Sequence, residues 1–267
     1  MTQHDVDLER RFGGVRRLYG EDGLVRLQSA HVYVIGLGGV GSWAAEALAR
    51  SAVGGLTLID LDNIAESNIN RQLHALDGAL GKAKVSAMAE RIRLINPFCR
   101  VREIEEFVTP ANVVEMLAGD GDAVLDAIDD ARAKVALAAH CRQRKIPLVM
   151  AGGAGGRLDP TRIRSGDLAD ATGDRLLAKV RTALRRDHGF PRASTTAKKA
   201  PRLGIDCVYS DEHVRKPMEA GCEFEASALS GLHCAGYGSS VCVTAAFGMA
   251  AASRILDLLS ASDRRTS

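Results

Sequence analysis

The first strong pattern along the chain is an apolar run, HVYVIG at 31–36, that ends on a glycine. A helix is predicted over 42–52, then a second strand, LTLID, at 56–60. Over 81–96 the positions Val85, Met88, Ala89, Ile92 and Ile95 recur at helical spacing, with Pro97 just past the end. VREIEEF at 101–107 reads as a third strand, and PANVVEMLAG at 110–119 as a short helix opened by proline and closed by glycine. AVLDAI at 123–128 is a fourth strand, 131–145 a helix, and IPLVMAG at 146–152 a fifth strand. This alternation predicts an α/β protein with a doubly wound, mostly parallel sheet and helices on both faces. Right-handed crossovers then bring the strand ends to one edge, where ligands bind.

After Gly156 the alternation stops. The chain is expected to divide into a core with an N-terminal arm at 1–156, a basic insertion at 157–220, and a C-terminal segment at 221–267 that packs back on the core. Residues 157–202 hold twelve Lys or Arg and five Asp or Glu, +7, so with a whole-chain charge of +2 the remainder sums to −5. Within that segment DRLLAKVRTALRRD forms an amphipathic helix, with Leu176, Leu177, Val180 and Leu184 on one side. On charge alone a solvated insertion and a landing surface for a polyanion stand equal.

The C-terminal run SVCVTAAFGMAAASRILDLL, 240–259, has the length of a membrane span, but Arg254 interrupts it. A charge there costs a few kcal/mol of insertion, so a buried helix is the reading, with membrane contact at most peripheral. Six cysteines, none in a CxxC pair, give no zinc-ribbon spacing. The N-terminus, MTQHDVDLERRFGG, lacks the apolar run of a secretory signal. A cytoplasmic protein with reduced cysteines is expected.

Gly36, Gly38, Gly39 and Gly41 form G-x-G-G-x-G between a strand and a helix, the setting of a Rossmann-like phosphate-binding turn. Glycines let the backbone approach phosphate, and the helix N-terminus supplies oriented N–H donors. Asp60, ending the second strand, suits a ribose hydroxyl. So far NAD, FAD and ATP fit equally. The stretch after it, DLDNIAESNINRQ, shifts the balance. It supplies Asp62, Asn68, Arg71 and Gln72, and Lys84 follows in GKAK. Arg71 and Lys84 would neutralise several phosphate charges, more than a dinucleotide presents. A triphosphate fits better, with Asp129 in DAIDD placed to hold Mg²⁺.

GLGGVGS, DLDNIAESNINRQ, GKAK before a helix ending in INP, and DAIDD together resemble the adenylating core of the E1-like (ubiquitin-activating) superfamily. The resemblance runs over roughly residues 10–155. It implies attack of a substrate carboxylate on the α-phosphate of Mg-ATP. Asp60 would hold the ribose, and Asn68, Arg71 and Lys84 the phosphates. Arg17, or Arg16 beside it, would reach the nucleotide of a partner subunit in a homodimer. No zinc is implied, and a structural monovalent cation is allowed. RFGGVRRLYG, NRQLHAL, MAGGAGGRLDPTRI and KAPRLGIDCVYSDE resemble one branch, the tRNA threonylcarbamoyladenosine dehydratases. That branch implies ATP-driven cyclisation of the threonylcarbamoyl group.

The basic segment would then meet the tRNA backbone through Arg181, Arg185, Arg186, Lys198 and Lys199. With few aromatics to stack bases, shape and phosphate contacts would dominate. Cys234, in SGLHCAGYGSS, lies where related enzymes keep an accessory cysteine. It could carry an acyl group or take sulfur from a cysteine-desulfurase partner, although most free cysteines are small buried hydrophobes. The competing chemistry is adenylation of a sulfur carrier's C-terminal Gly-Gly. A non-catalytic nucleotide sensor and a nicotinamide oxidoreductase fit the residues less well.

Overall fold

The structure is a computed structural model that describes residues 6–192, 200–215 and 237–261. It opens with helix α1, Leu8–Ser29, which no periodicity in the sequence announces and which kinks at Gly20 (φ 76°). Then follow β1 (His31–Ile35), α2 (Gly41–Arg50), β2 (Gly55–Ile59), α3 (Lys84–Ile95), β3 (Arg100–Ile104), α4 (Val113–Met116), β4 (Ala123–Asp126), α5 (Ala131–Arg144) and β5 (Leu148–Ala151). The predicted elements are all present. The proline-opened helix contracts to the four residues of α4, because Thr109 and Asn112 tie its start into a loop through their side chains.

The alternation does not end at Gly156. β6 (Ile163–Asp167), α6 (Arg175–Asp187) and β7 (Asp206–Ser210) complete one seven-stranded sheet in the order β3-β2-β1-β4-β5-β7-β6. β7 runs parallel to β5, and β6 pairs antiparallel to β7 at the edge. The segment read as an insertion is thus partly built into the core sheet. Its strands escape a periodicity reading because RIRSGD lies at an exposed edge and offers no apolar alternation. DCVYS in turn is only five residues long. The amphipathic helix is correct: Leu177, Val180 and Leu184 are buried.

Alternate residues of β1 serve opposite faces. Val32 and Val34 join a core with residues of α2, α3 and α7 (Val241–Ser260), while Tyr33 and Ile35 join the core beneath α4, α5 and α6. Helices therefore cover both faces. α7 is the one described helix long and apolar enough to cross a membrane. It lies on the sheet instead, with Phe247, Ala251 and Ile255 fully buried. Arg254, the charge within it, donates to Asp206 Oδ2 at the start of β7 (3.0 Å).

Candidate active site

The strand order reverses between β1 and β4, and at such a switch point strand ends open a crevice. A cavity of about 570 Å³ lies there, of the size that holds a nucleotide. One wall is the glycine turn. Gly36 has φ 83°, and a Cβ on it would sit 2.9 Å from Ile128 Cγ2. A Cβ on Gly41 would sit 1.7 Å from the Gly36 carbonyl oxygen. Both positions require glycine. The amides of Gly38, Gly39 and Val40 line the cavity and donate to no acceptor among the described residues. At the start of α2 they form a preset anion cradle.

The acidic and basic side chains divide their work. Asp60 is buried, its Oδ2 accepting from Leu37 N (2.6 Å) and its Oδ1 from Asp62 N (2.9 Å). Burial raises its pKa, and Lys84 opposes the rise. A short tie between 62–64 and 81–84 seats Lys84 at the head of α3: Ile64 N donates to Lys82 O and Gly81 N to Ile64 O. Lys84 Nζ then donates to Asp62 Oδ2 at 2.7 Å. Asp130 caps α5 by accepting from Ala133 N. Asp129, beside it in the cavity, accepts from no described residue. Among the described residues no group of three or more His, Cys, Asp or Glu gathers as a metal site. One uncommitted carboxylate with nucleotide phosphates is nevertheless a common way to hold Mg²⁺, so the donor set fits.

Two buried ion pairs stand behind the strand-end loops. Lys134, at 0% exposure, donates to Asp126 Oδ1 (3.0 Å) and to Ala151 O (2.8 Å), joining the ends of β4, β5 and α5. Arg157 pairs with Asp174 (3.5 Å), whose Oδ2 also accepts from Gly153 N in the loop Gly152–Gly155 that lines the cavity.

His74 braces the turn from below: its Nε2 donates to Leu37 O at 2.9 Å. Burial pushes its pKa down to about 4. The unfolded chain binds a proton here below the ordinary value of about 6.5 and the folded chain does not, so stability falls as pH drops through that window. From pH 6.5 to 5 this position should cost about 2 kcal/mol. His74→Gln, able to keep the bond to Leu37, should flatten the acid limb when urea unfolding is compared at pH 7 and 5.

The cavity gathers Gly36, Gly38, Gly39, Asp60, Asp62, Arg71, Gln72, Lys84 and Asp129. Gln72 is buried with its Oε1 unpartnered. Gly41 underlies the turn. Asn68 lies off the cavity, its Oδ1 accepting from Ala65 N. Arg17 is exposed on α1, also away from the cavity. Arg181 is committed to the carbonyls of Leu168 and Ala171 (3.0 and 2.6 Å), and Arg185 Nε to Pro191 O. Arg186 is exposed and chelates its neighbour Asp187. Lys198, Lys199 and Cys234 lie outside the described residues. Cys99, Cys141 and Cys207 are buried free thiols whose pKa values burial raises to about 11 or 12. Sequence reasoning missed His74, Thr109, Ser239 and Thr244. Ser239 and Thr244 reach the cavity from far along the chain, which no local signal announces, and Thr244 packs where a Cβ on Gly39 would lie (3.2 Å).

A model of the ThiF family matches residues 13–266. The chain is a member of the ThiF family. It is 48% identical to the tRNA threonylcarbamoyladenosine dehydratase of Escherichia coli (strain K12), over 96% of each chain. A crystal structure of the E. coli tRNA N6-threonylcarbamoyladenosine dehydratase in complex with ATP superposes with a TM-score of 0.83. Its identity is 46%, over 97% of each chain. The E. coli molybdopterin-synthase adenylyltransferase is 33% identical over 51% of this chain and 54% of its own.

Proposed function

We propose that this protein is an ATP-dependent dehydratase acting on N6-threonylcarbamoyladenosine in tRNA. The observation that carries the reading is the reach of the relationship. The dehydratase from E. coli aligns over 96% of the chain, whereas the molybdopterin-synthase adenylyltransferase aligns with about half of it.

The chemistry follows from the leaving group. Direct ring closure on a carboxylate would expel oxide. Attack of the carboxylate oxygen on the α-phosphorus breaks the bond to the β-phosphate, releases pyrophosphate and leaves an acyl adenylate. A nucleophile of the same substituent then closes the ring and expels AMP, with the nucleophile's proton lost. The net change is removal of water, driven by ATP cleavage. Because the closure is intramolecular, the protein has mainly to orient the group and exclude water. The free amides of Gly38–Val40 and the side chains of Arg71 and Lys84 hold the phosphates, and Asp60 the ribose. Asp129 holds Mg²⁺, which supplies charge neutralisation at the phosphates when bound. Arg17 serves a partner subunit's cavity in a homodimer.

The test is mass analysis of nucleosides from threonylcarbamoyl-modified tRNA incubated with Mg-ATP and the protein. The expected product is lighter by one water. An unchanged nucleoside, with pyrophosphate exchange that requires a Gly-Gly-ended carrier protein, would replace this reading with carrier adenylation.

The tRNA would be held on the basic segment, in the cytoplasm. Arg186, exposed and paired only with its neighbour, is the described candidate free to reach a phosphate. Arg186→Ala should weaken tRNA binding across sequences and lower the log–log salt slope by about 1. Arg181→Ala, removing a brace of backbone carbonyls, should appear instead as a lower melting temperature. Filter binding across a salt series, with a thermal melt beside it, checks both.

A further inference from the structure

Besides the glycine turn, the cavity is lined by a second glycine-rich loop, Gly152–Gly155, at the end of β5. Its backbone is pinned at both ends. Gly152 N donates to Val208 O (2.8 Å), Gly153 N to Asp174 Oδ2 (2.8 Å) and Gly156 N to Gly238 O (3.0 Å). Between these pins, the amides of Ala154 and Gly155 donate to no acceptor among the described residues, although Ala154 is only 8% exposed. A secluded backbone donor is nearly always paired, so the empty Ala154 amide, with that of the half-buried Gly155 beside it, calls for an acceptor that arrives with the ligand.

The loop is held from behind by a pair that itself has capacity to spare. The Arg157 and Asp174 side chains are each 1% exposed. Asp174 Oδ1 caps α6 by accepting from Leu177 N (2.9 Å), while Oδ2 takes Gly153 N. A Cβ on Gly152 would lie 2.3 Å from that Oδ2, so the loop backbone lies directly on the carboxylate. Arg157 reaches Gly173 O (3.4 Å) and Asp174, its Nε and Nη1 being buried without partners.

We propose that the loop Gly152–Gly155 receives the carboxylate of the substrate through the Ala154 and Gly155 amides, and that Arg157 and Asp174 are the positioning pair that sets this cradle. This rests on the dehydratase reading and names where its attacking group sits. A carboxylate held on this loop would share one cavity with a nucleotide held at the glycine turn, as adenylation needs.

Asp174→Asn tests positioning, with a thermal melt run beside it because the change also removes the charge partner of the buried Arg157. The Asn oxygen still accepts from Leu177 N, and Asn is as good a helix cap as Asp. Its amide nitrogen then faces the Gly153 N–H, donor against donor, and the loop must shift. With ATP binding measured by calorimetry and turnover measured on threonylcarbamoyl-modified tRNA, ATP affinity should stay within about twofold. Turnover should fall by about 10²-fold, as expected when reacting groups are misplaced by an ångström or so. Arg157→Lys, which keeps the charge beside Asp174, should lose less turnover than Arg157→Met, again at constant ATP affinity. Full turnover in Asp174→Asn, or turnover and ATP affinity falling in parallel in every variant, overturns the cradle while leaving the dehydratase reading intact. No product from the unaltered protein overturns the dehydratase reading itself.

Discussion

Lys84→Ala is expected to lower turnover on modified tRNA by about 10²–10³-fold, the range seen when one preset charge-stabilising donor is removed from a transition state. The ammonium is 6% exposed and sits on the cavity with Asp62 at 2.7 Å. Its charge is therefore fixed on the cavity before any ligand arrives, so under the proposed role little reorganisation would be needed as charge develops on the leaving pyrophosphate. The Asp62 side chain is 52% exposed, so losing its partner leaves a carboxylate that water can solvate. The exposed Asp62 half of the pair costs little to leave alone, while the buried Asp60 loses the charge that opposes its raised pKa, a modest further cost. Steady-state kinetics and a thermal melt distinguish the roles: turnover should collapse while the melting temperature moves by only a few degrees. A large fall in melting temperature with activity retained would make Lys84 a structural residue.

Lys134→Met should act in the opposite way, destabilising the fold by about 3–5 kcal/mol, because it strands Asp126 as an uncompensated buried charge. Both side chains are at 0% exposure, and Asp126 Oδ2 already has no partner. Burial holds the Asp126 pKa above the ordinary carboxylate value, and the Lys134 charge is the largest influence pulling it back. Removing Lys134 lets the folded-state pKa climb further above that of the unfolded chain. The variant then loses stability as pH rises from about 4 through its raised folded pKa, because ionising Asp126 becomes harder in the folded chain than in the unfolded one. Urea unfolding at pH 5 and pH 8 should show the deficit against the parent protein widening at the higher pH. A deficit independent of pH would mean that lost packing, not stranded charge, sets the cost.

These two lysines show how unevenly the site was legible. Lys84 follows a glycine-containing turn in GKAK, and its type and spacing point to phosphate. Lys134 is one more basic residue in DARAKVALAAHCRQRK and reads as a solvated helix position. Only the burial of that face of α5 against β4 and β5 turns it into half of an ion pair. The same holds for His74. Nothing in NRQLHAL marks the imidazole as the brace of a turn 37 residues earlier. Asn68 shows a local use that its place in SNINRQ does not announce: its side-chain oxygen accepts from Ala65 N and caps a short turn.

The sequence by itself determined the parallel strands from β1 to β5, the helices between them, the glycine turn, and Arg71, Lys84 and Asp129 as charged residues that share a cavity with it. Each depends on neighbours within a few positions, where periodicity and turn chemistry act directly. Tertiary structure alone decided that the segment after Gly156 returns to the sheet as β6 and β7. It also decided that Arg181 braces backbone carbonyls, and that Ser239, Thr244 and the Gly152–Gly155 loop close the cavity. These depend on residues tens to hundreds of positions apart, brought together by burying the two faces of one sheet. The physical reason is that burial, and the hydrogen bonds each buried polar group must then find, are properties of the packed chain and not of any short stretch of it.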